Sequence, residues 1–225
     1  MNQWANEWVK YHTGGAGNYV TTGMEDTGTL QSLTWLARAG RVDVKRTLVL
    51  RTASNFDGPK PGQTAAVIGL GGVGMCSLLG VVASGARDVV AIDLNDKKLE
   101  IARELGATFT VNARDPDAAA KVKEHTKGGV DFSFEMAGVT PAMELAYRVA
   151  RRGGTTVTAS LFHPQHLWPV QQVSLVAEER TIKGSYIGSC VPSRDVPRYI
   201  GLYQRGKLPI NRLLGERLKL EEINR

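Results

Sequence analysis

The stretch TAAVIGLGGVG, residues 64–74, constrains the fold more than any other part of this chain. Its first half is a short apolar run, as expected of a strand buried on both faces of a parallel sheet. Its second half, Gly69-Leu70-Gly71-Gly72-Val73-Gly74, has the spacing G-x-G-x-x-G. Gly69 permits a tight turn, Gly71 lets the backbone approach a pyrophosphate, and Gly74 lets the next helix pack close to the sheet. Free backbone N–H groups around Gly71 and Gly72, and the positive end of that helix, then receive phosphate charge.

The pattern that follows is regular. After the strand and turn of residues 64–71 come a helix over 73–85, a strand over 86–94 and a helix over 95–106. Asn95 is placed to cap that second helix and Gly106 to stop it. A strand over 107–113, a helix over 115–129, a strand over 130–138 and a helix over 140–154 extend the series, with Thr140 before Pro141 as the cap of the last. A strand at 155–160, a final strand within 179–188 and a helix over 193–208 close it; Pro197 is expected to kink that helix or delay its start. Strands alternating with helices of this length require right-handed crossovers and an α/β, doubly wound parallel sheet, the Rossmann architecture. Residues 1–60 read instead as a short α/β fragment, joined through the turn-rich NFDGPKPG at 55–62.

Composition narrows the function. The formal net charge is +6 and the pI about 9.4, but the basic residues are scattered and not interleaved with aromatics, so no nucleic-acid partner is expected. The two cysteines, Cys76 and Cys190, form no C-x-x-C pair, and a reducing cytoplasm suits them. MNQWANEWVK lacks the basic start and apolar stretch of a signal peptide, and the longest apolar run, MCSLLGVVASGA, is too short and interrupted for a membrane partner.

Asp93 ends the second strand nineteen residues after Gly74. A carboxylate there can accept hydrogen bonds from both hydroxyls of an adenosine ribose, and it repels a 2′-phosphate. The following LND offers no arginine to receive that phosphate, so the expected cofactor is NAD(H) rather than NADP(H). His163 and His166 lie three apart in FHPQHLW, but Pro164 interrupts the helix that would align them and no carboxylate is near. They read as surface loop residues, and no metal site is assigned. Ser185 and Tyr186 lack a lysine at the spacing short-chain reductases use, so no catalytic residue is assigned either.

Residues 61–225 resemble the coenzyme-binding portion of the zinc-type alcohol dehydrogenases, the medium-chain dehydrogenase/reductase superfamily. PGQTAAVIGLGGVG, AIDLNDKKLEIARELGAT, GGVDFSFEMAG and AEERTIKGSYIGS carry the likeness. It implies that Asp93 and Lys98 flank the adenosine ribose and that the backbone around Val73 faces the pyrophosphate. It implies that Met136, Ala137 and Gly138 line the cofactor cleft, that Ala159, Ser160 and Leu161 lie beside the nicotinamide, and that Ile187 presents backbone to the carboxamide. It also implies a homodimer joined through the edge strand near 181–188. Such enzymes place a larger catalytic domain ahead of this point, with zinc held by cysteine and histidine; this chain's two cysteines and four histidines supply no such set, so zinc is not expected. Family members also continue past a segment like LEEINR with a helix and strand, so residues 61–225 are expected to be a C-terminally shortened domain.

Residues 1–60 resemble the purine nucleoside permease family, which is similar to nucleoside phosphorylases, through NQWANEWVKYHTGGAGNYVTTGMEDTGTLQSL and AGRVDVKRTLVLRTASNF. That likeness implies Met24 and Glu25 near a ribose and Asn55 near a purine; the residues themselves favour the simpler reading, in which Glu25 and Asp26 precede or cap the helix that follows. TASNFDGPKPGQTAA then reads as the junction of a chimera, which recombination, gene misassembly or deliberate fusion would each produce. The sequence therefore supports an oxidoreductase's NAD(H)-binding portion first. A non-catalytic NAD(H)-binding module and a purine nucleoside-binding or transport protein are the alternatives.

Overall fold

Among the described residues the parallel sheet has six strands, β1 (Thr64–Ile68), β2 (Asp88–Asp93), β3 (Phe109–Asn112), β4 (Val130–Glu135), β5 (Ala150–Thr158) and β6 (Thr181–Gly184), in the order β3-β2-β1-β4-β5-β6. This is a computed structural model, and it describes residues 58–162, 165–186, 188 and 190–214. The chain divides into two compact units, Met1–Val49 and Leu50–Arg225, and the sheet belongs to the second. The expectations placed on Met24, Glu25, Asn55, His163 and Ile187 lie outside the described residues.

Helices alternate with the strands: α1 (Gly72–Ala83), α2 (Asp96–Glu104), α3 (Ala118–His125), α4 (Thr140–Val149), α5 (Gln172–Ala177) and α6 (Pro192–Gln204), followed by a 3-10 turn at Ile210–Leu213. All five residues of β1 are buried, as a central parallel strand covered on both sides must be. Val67, Ala91 and Phe134 face one layer, where they meet Leu78 and Leu79 of α1, Leu99 of α2 and Leu208. Ala66, Ile68, Val90 and Ile92 face the other, where they meet Val122 of α3 and Ala146 and Val149 of α4. The helices thus change faces where the strand order reverses, between β1 and β4.

Local chemistry sets the element ends. Asn95 accepts a hydrogen bond from the Lys97 N–H at 3.0 Å, capping α2 as expected. Thr140 is the first residue of α4 rather than its cap; Val139 holds that position and no side chain caps it. Helix α4 also stops at Val149, so Arg151 and Arg152 belong to β5 and not to the helix expected through 154. The reason is an anchor at the amino end of the sheet. Asp131 receives the Arg151 guanidinium at 2.7 Å and both the N–H and hydroxyl of Thr64 at 2.8 Å, drawing residue 151 into line with β4 and β1. Helix α6 begins at Pro192 and carries Pro197 inside it, so Pro197 does not delay its start. Asp195 fixes this start by accepting the Val191 N–H at 2.8 Å. Helix α5 has no counterpart in the sequence reading, and the last strand is confined to Thr181–Gly184.

Asp195 is buried, and the Arg194 guanidinium, joined by the Val191 N–H, lowers its pKa from 3.8 to about 2. Burial opposes ionisation of Asp131, but the Thr64 and Arg151 hydrogen bonds hold its pKa below the ordinary value. A carboxyl depressed in the folded state stabilises above its unfolded pKa and loses that contribution as pH falls through the folded one. The melting midpoint is therefore expected to fall as pH drops from about 4 to about 2. In Asp195→Asn, calorimetry should find a lower midpoint at neutral pH and a shallower fall across that window.

Candidate functional site

Strand β1 leads left and right at once: its chain neighbour β2 lies on one side and β4 on the other. The connections leaving the carboxyl ends of β1 and β4 pass to opposite faces, which leaves a crevice between them. The turn Gly69–Gly74 and the segment Met136–Gly138 form its two sides. They are tied at the base by Met136 N–H donating to the Ile68 carbonyl at 2.8 Å.

The glycines of the turn separate by role. Gly69 has φ +88°, and a Cβ there would lie 2.7 to 2.9 Å from Ala137, so the two sides touch at this point. A Cβ on Gly74 would lie 1.7 Å from the Gly69 carbonyl oxygen, so α1 packs directly onto the turn. Gly71 and Gly72 are different: a Cβ on either meets no atom within 4 Å. Gly71 precedes α1 with no side-chain cap, and the first helical bond is Met75 N–H to its carbonyl at 2.9 Å. The amides of Gly72, Val73 and Gly74 thus begin the helix ahead of any intrahelical acceptor.

Asp93 sits at the carboxyl end of β2, beside this turn. Its Oδ2 accepts the Leu70 N–H at 2.6 Å and its Oδ1 the Asn95 N–H at 2.9 Å, while Lys98 Nζ lies 3.9 Å from Oδ2. Each carboxylate oxygen retains acceptor capacity after one such bond. These two backbone bonds, which lock the carboxylate to the glycine turn, were not read from the sequence.

Across the crevice, Glu135 is the residue that sequence reasoning missed. Its Oε1 accepts the N–H groups of Ala137 at 2.8 Å and Gly138 at 2.7 Å, and its Oε2 the Thr158 hydroxyl at 2.8 Å. The available signal was a carboxylate closing an otherwise apolar strand end directly before Met136. Gly138 has φ +74° and faces Ser160, bringing the 136–138 and 159–161 segments side by side. Ala159 packs on the core, whereas Leu161 is 81% exposed. Ser185 follows β6, its N–H bonded to the Thr158 carbonyl at 2.8 Å and its buried hydroxyl without a partner among the described residues.

Among the described residues, no group of three or more histidines, cysteines, aspartates or glutamates could hold a metal ion. None of the helices described is long and apolar enough to cross a membrane. A separate groove of about 640 Å³ lies against α3 and α4, where Trp168 meets Tyr147 edge-on and Arg180 sits 4.5 Å over the Tyr147 ring. It shares no lining residue with the crevice.

Residues 72–205 match the family described as zinc-binding dehydrogenase, and residues 1–71 match that described as purine nucleoside permease. The alcohol dehydrogenase 1 of Oryza sativa subsp. indica is 33% identical over 173 residues, 76% of this chain and 45% of that protein. The NDMA-dependent alcohol dehydrogenase of Amycolatopsis methanolica is 36% identical over 177 residues, 77% of this chain and 47% of its own. The solved alcohol dehydrogenase zinc-binding domain protein of Burkholderia ambifaria superposes with a TM-score of 0.70 at 29% identity, covering 73% of this chain and 44% of that one. The benzyl alcohol dehydrogenase of Acinetobacter calcoaceticus gives 0.67 at 29% identity, over 69% and 43%. The chain thus spans about half the length of the curated relatives it matches. The likeness falls on a Rossmann-type NAD(H)-binding fold with, among the described residues, no metal-coordinating cluster. Through the match over residues 72–205, this chain belongs to the zinc-binding dehydrogenase family.

Proposed function

We propose that residues 61–225 form an NAD(H)-binding domain, the coenzyme-binding portion of a zinc-type alcohol dehydrogenase-like oxidoreductase, and that the cofactor lies across the crevice between β1 and β4. The observation that carries this is the uncapped start of α1, where Gly71 and Gly72 have open space in place of a side chain. An anionic pyrophosphate fits there because unpaired amides and the helix dipole favour negative charge.

In this reading Gly69 and Gly74 shape the turn, while the amides of Gly72 and Val73 hold the pyrophosphate. Asp93 accepts the ribose hydroxyls and excludes a 2′-phosphate, with Lys98 beside it. Met136, Ala137 and Gly138 line the cofactor cleft, and Ala159, Ser160 and Leu161 lie beside the nicotinamide. Bound NAD(H) would supply a hydride acceptor or donor at its ring. The described residues of the chain orient it and exclude water, and none is assigned a catalytic proton or metal.

We place this domain in the reducing cytoplasm, which suits a chain whose two cysteines, Cys76 and Cys190, form no C-x-x-C pair. We also propose a homodimer through β6. Among the described strands it is an edge of the sheet, and an edge strand invites pairing. Val173 and Val176 of α5 and Tyr186 after β6 are largely exposed nearby in sequence. Sedimentation should show a dimer, and Val173→Glu with Val176→Glu should shift it to monomer; a monomeric parent chain contradicts the assembly.

Nicotinamide fluorescence tests cofactor binding. NADH is expected to bind at least about tenfold more tightly than NADPH, a difference of about 1.4 kcal/mol, and Asp93→Ala should reduce that preference. Gly71→Ala should melt near the parent chain yet lose NADH, because its Cβ occupies open space that the pyrophosphate needs. Gly74→Ala should instead lower the melting midpoint, its Cβ colliding with the Gly69 carbonyl.

A further inference from the structure

Glu135 is fully buried, and the hydrogen bonds it accepts are what make a carboxylate tolerable there. Two of them go forward by two and three residues, to Ala137 and Gly138 N–H, and the third goes sideways to Thr158 on β5. The forward pair curls the chain after β4 into the left-handed Gly138 conformation, φ +74°. The sideways bond fixes the carboxylate to the neighbouring strand, which the Ala159 N–H reinforces by reaching the Glu135 carbonyl at 3.3 Å. Ala137 is then held against the backbone of Gly69, with no room for even a Cβ between them. One side chain therefore governs where the second side of the crevice stands relative to the glycine turn.

We propose that Glu135 is a positioning residue for cofactor binding: its carboxylate sets the Ala137–Gly138 wall at the separation from Gly69–Gly74 that admits the dinucleotide. The role rests on the cofactor reading above and adds to it a residue that touches no part of the ligand. A merely structural glutamate would stabilise the β4–β5 junction equally, so the two strands of its hydrogen bonding have to be separated.

Thr158→Val removes only the sideways bond, Glu135→Ala removes all three, and Glu135→Gln keeps an oxygen for both amides and a donor for Thr158. NADH affinity, melting midpoint and the hydrogen exchange of the Ala137 and Gly138 amides are read on each full chain. Glu135→Ala should weaken NADH by about tenfold or more, a loss in the range of a charge-assisted hydrogen bond, and its two amides should exchange faster. Thr158→Val should lower the melting midpoint through its lost hydrogen bond while leaving NADH affinity within about threefold, because the pair of bonds to the Ala137 and Gly138 amides remains. Glu135→Gln should restore both affinity and protection. Should the alanine variant not fold, Glu135→Asp, which keeps the charge but withdraws the oxygens by one methylene, should show the same faster exchange and weaker binding. Affinity falling in proportion to melting midpoint in both Glu135→Ala and Thr158→Val would overturn the proposal, as would unchanged amide exchange in Glu135→Ala. A parent chain that binds no NADH, with Ala137 and Gly138 exchange still governed by Glu135, would sink the cofactor reading and leave the hold on the turn standing.

Discussion

The approach of the Gly69 backbone to Ala137 is the contact on which the candidate site depends. Strand order reverses between β1 and β4, so the chain leaves these neighbouring strands toward opposite faces of the sheet. Without a Cβ at residue 69 the two departing segments meet at their base and diverge above it. Everything else is arranged around that wedge. Gly74 brings α1 down onto the turn, Asp93 ties the turn to β2 through Leu70, and Glu135 ties the opposite segment to β5. Four parallel strands thereby place their carboxyl ends around one opening, with the start of α1 facing it.

Much of this was legible because the constraints are local. The G-x-G-x-x-G spacing predicts the turn, and the structure assigns Gly69 and Gly74 to close packing while leaving Gly71 open. The Asn95 cap and the apolar runs of β1 and β2 follow from capping chemistry and from burial on both faces. What was not legible depends on partners distant in sequence. The end of α4 is decided by Asp131, twenty residues before Arg151, and Thr64, sixty-seven before Asp131. Glu135 reads as an ordinary strand-end carboxylate until Thr158 arrives beside it. The start of α6 ahead of Pro197 depends on Asp195 turning back to accept the Val191 N–H, a bond that a proline-centred reading overlooks.

Fold and function stand at different distances from the sequence here. A nucleotide crevice needs backbone geometry, glycines and one carboxylate; Gly72, Gly74 and Asp93 fall within the match over residues 72–205, and Gly69 and Gly71 directly precede it. Hydride transfer to an alcohol or aldehyde needs in addition a group that polarises the substrate oxygen, and such groups are drawn from sites rather than from folds. Of the described hydroxyls near the expected nicotinamide position, that of Thr158 is bonded to the Glu135 carboxylate and that of Ser185 has no partner among the described residues. The contribution proposed for the domain is to hold and orient a dinucleotide.

The most direct measurement of that contribution is a residue-resolved one: backbone amide shifts of the isotopically labelled chain, followed by nuclear magnetic resonance as NADH is added. The account predicts the largest changes at Gly71, Gly72, Val73 and Gly74, accompanied by Asp93 and Ala137–Gly138, and little change along the groove at Tyr147 and Trp168. Saturable shifts centred on that groove, or none at the glycine turn, would contradict it.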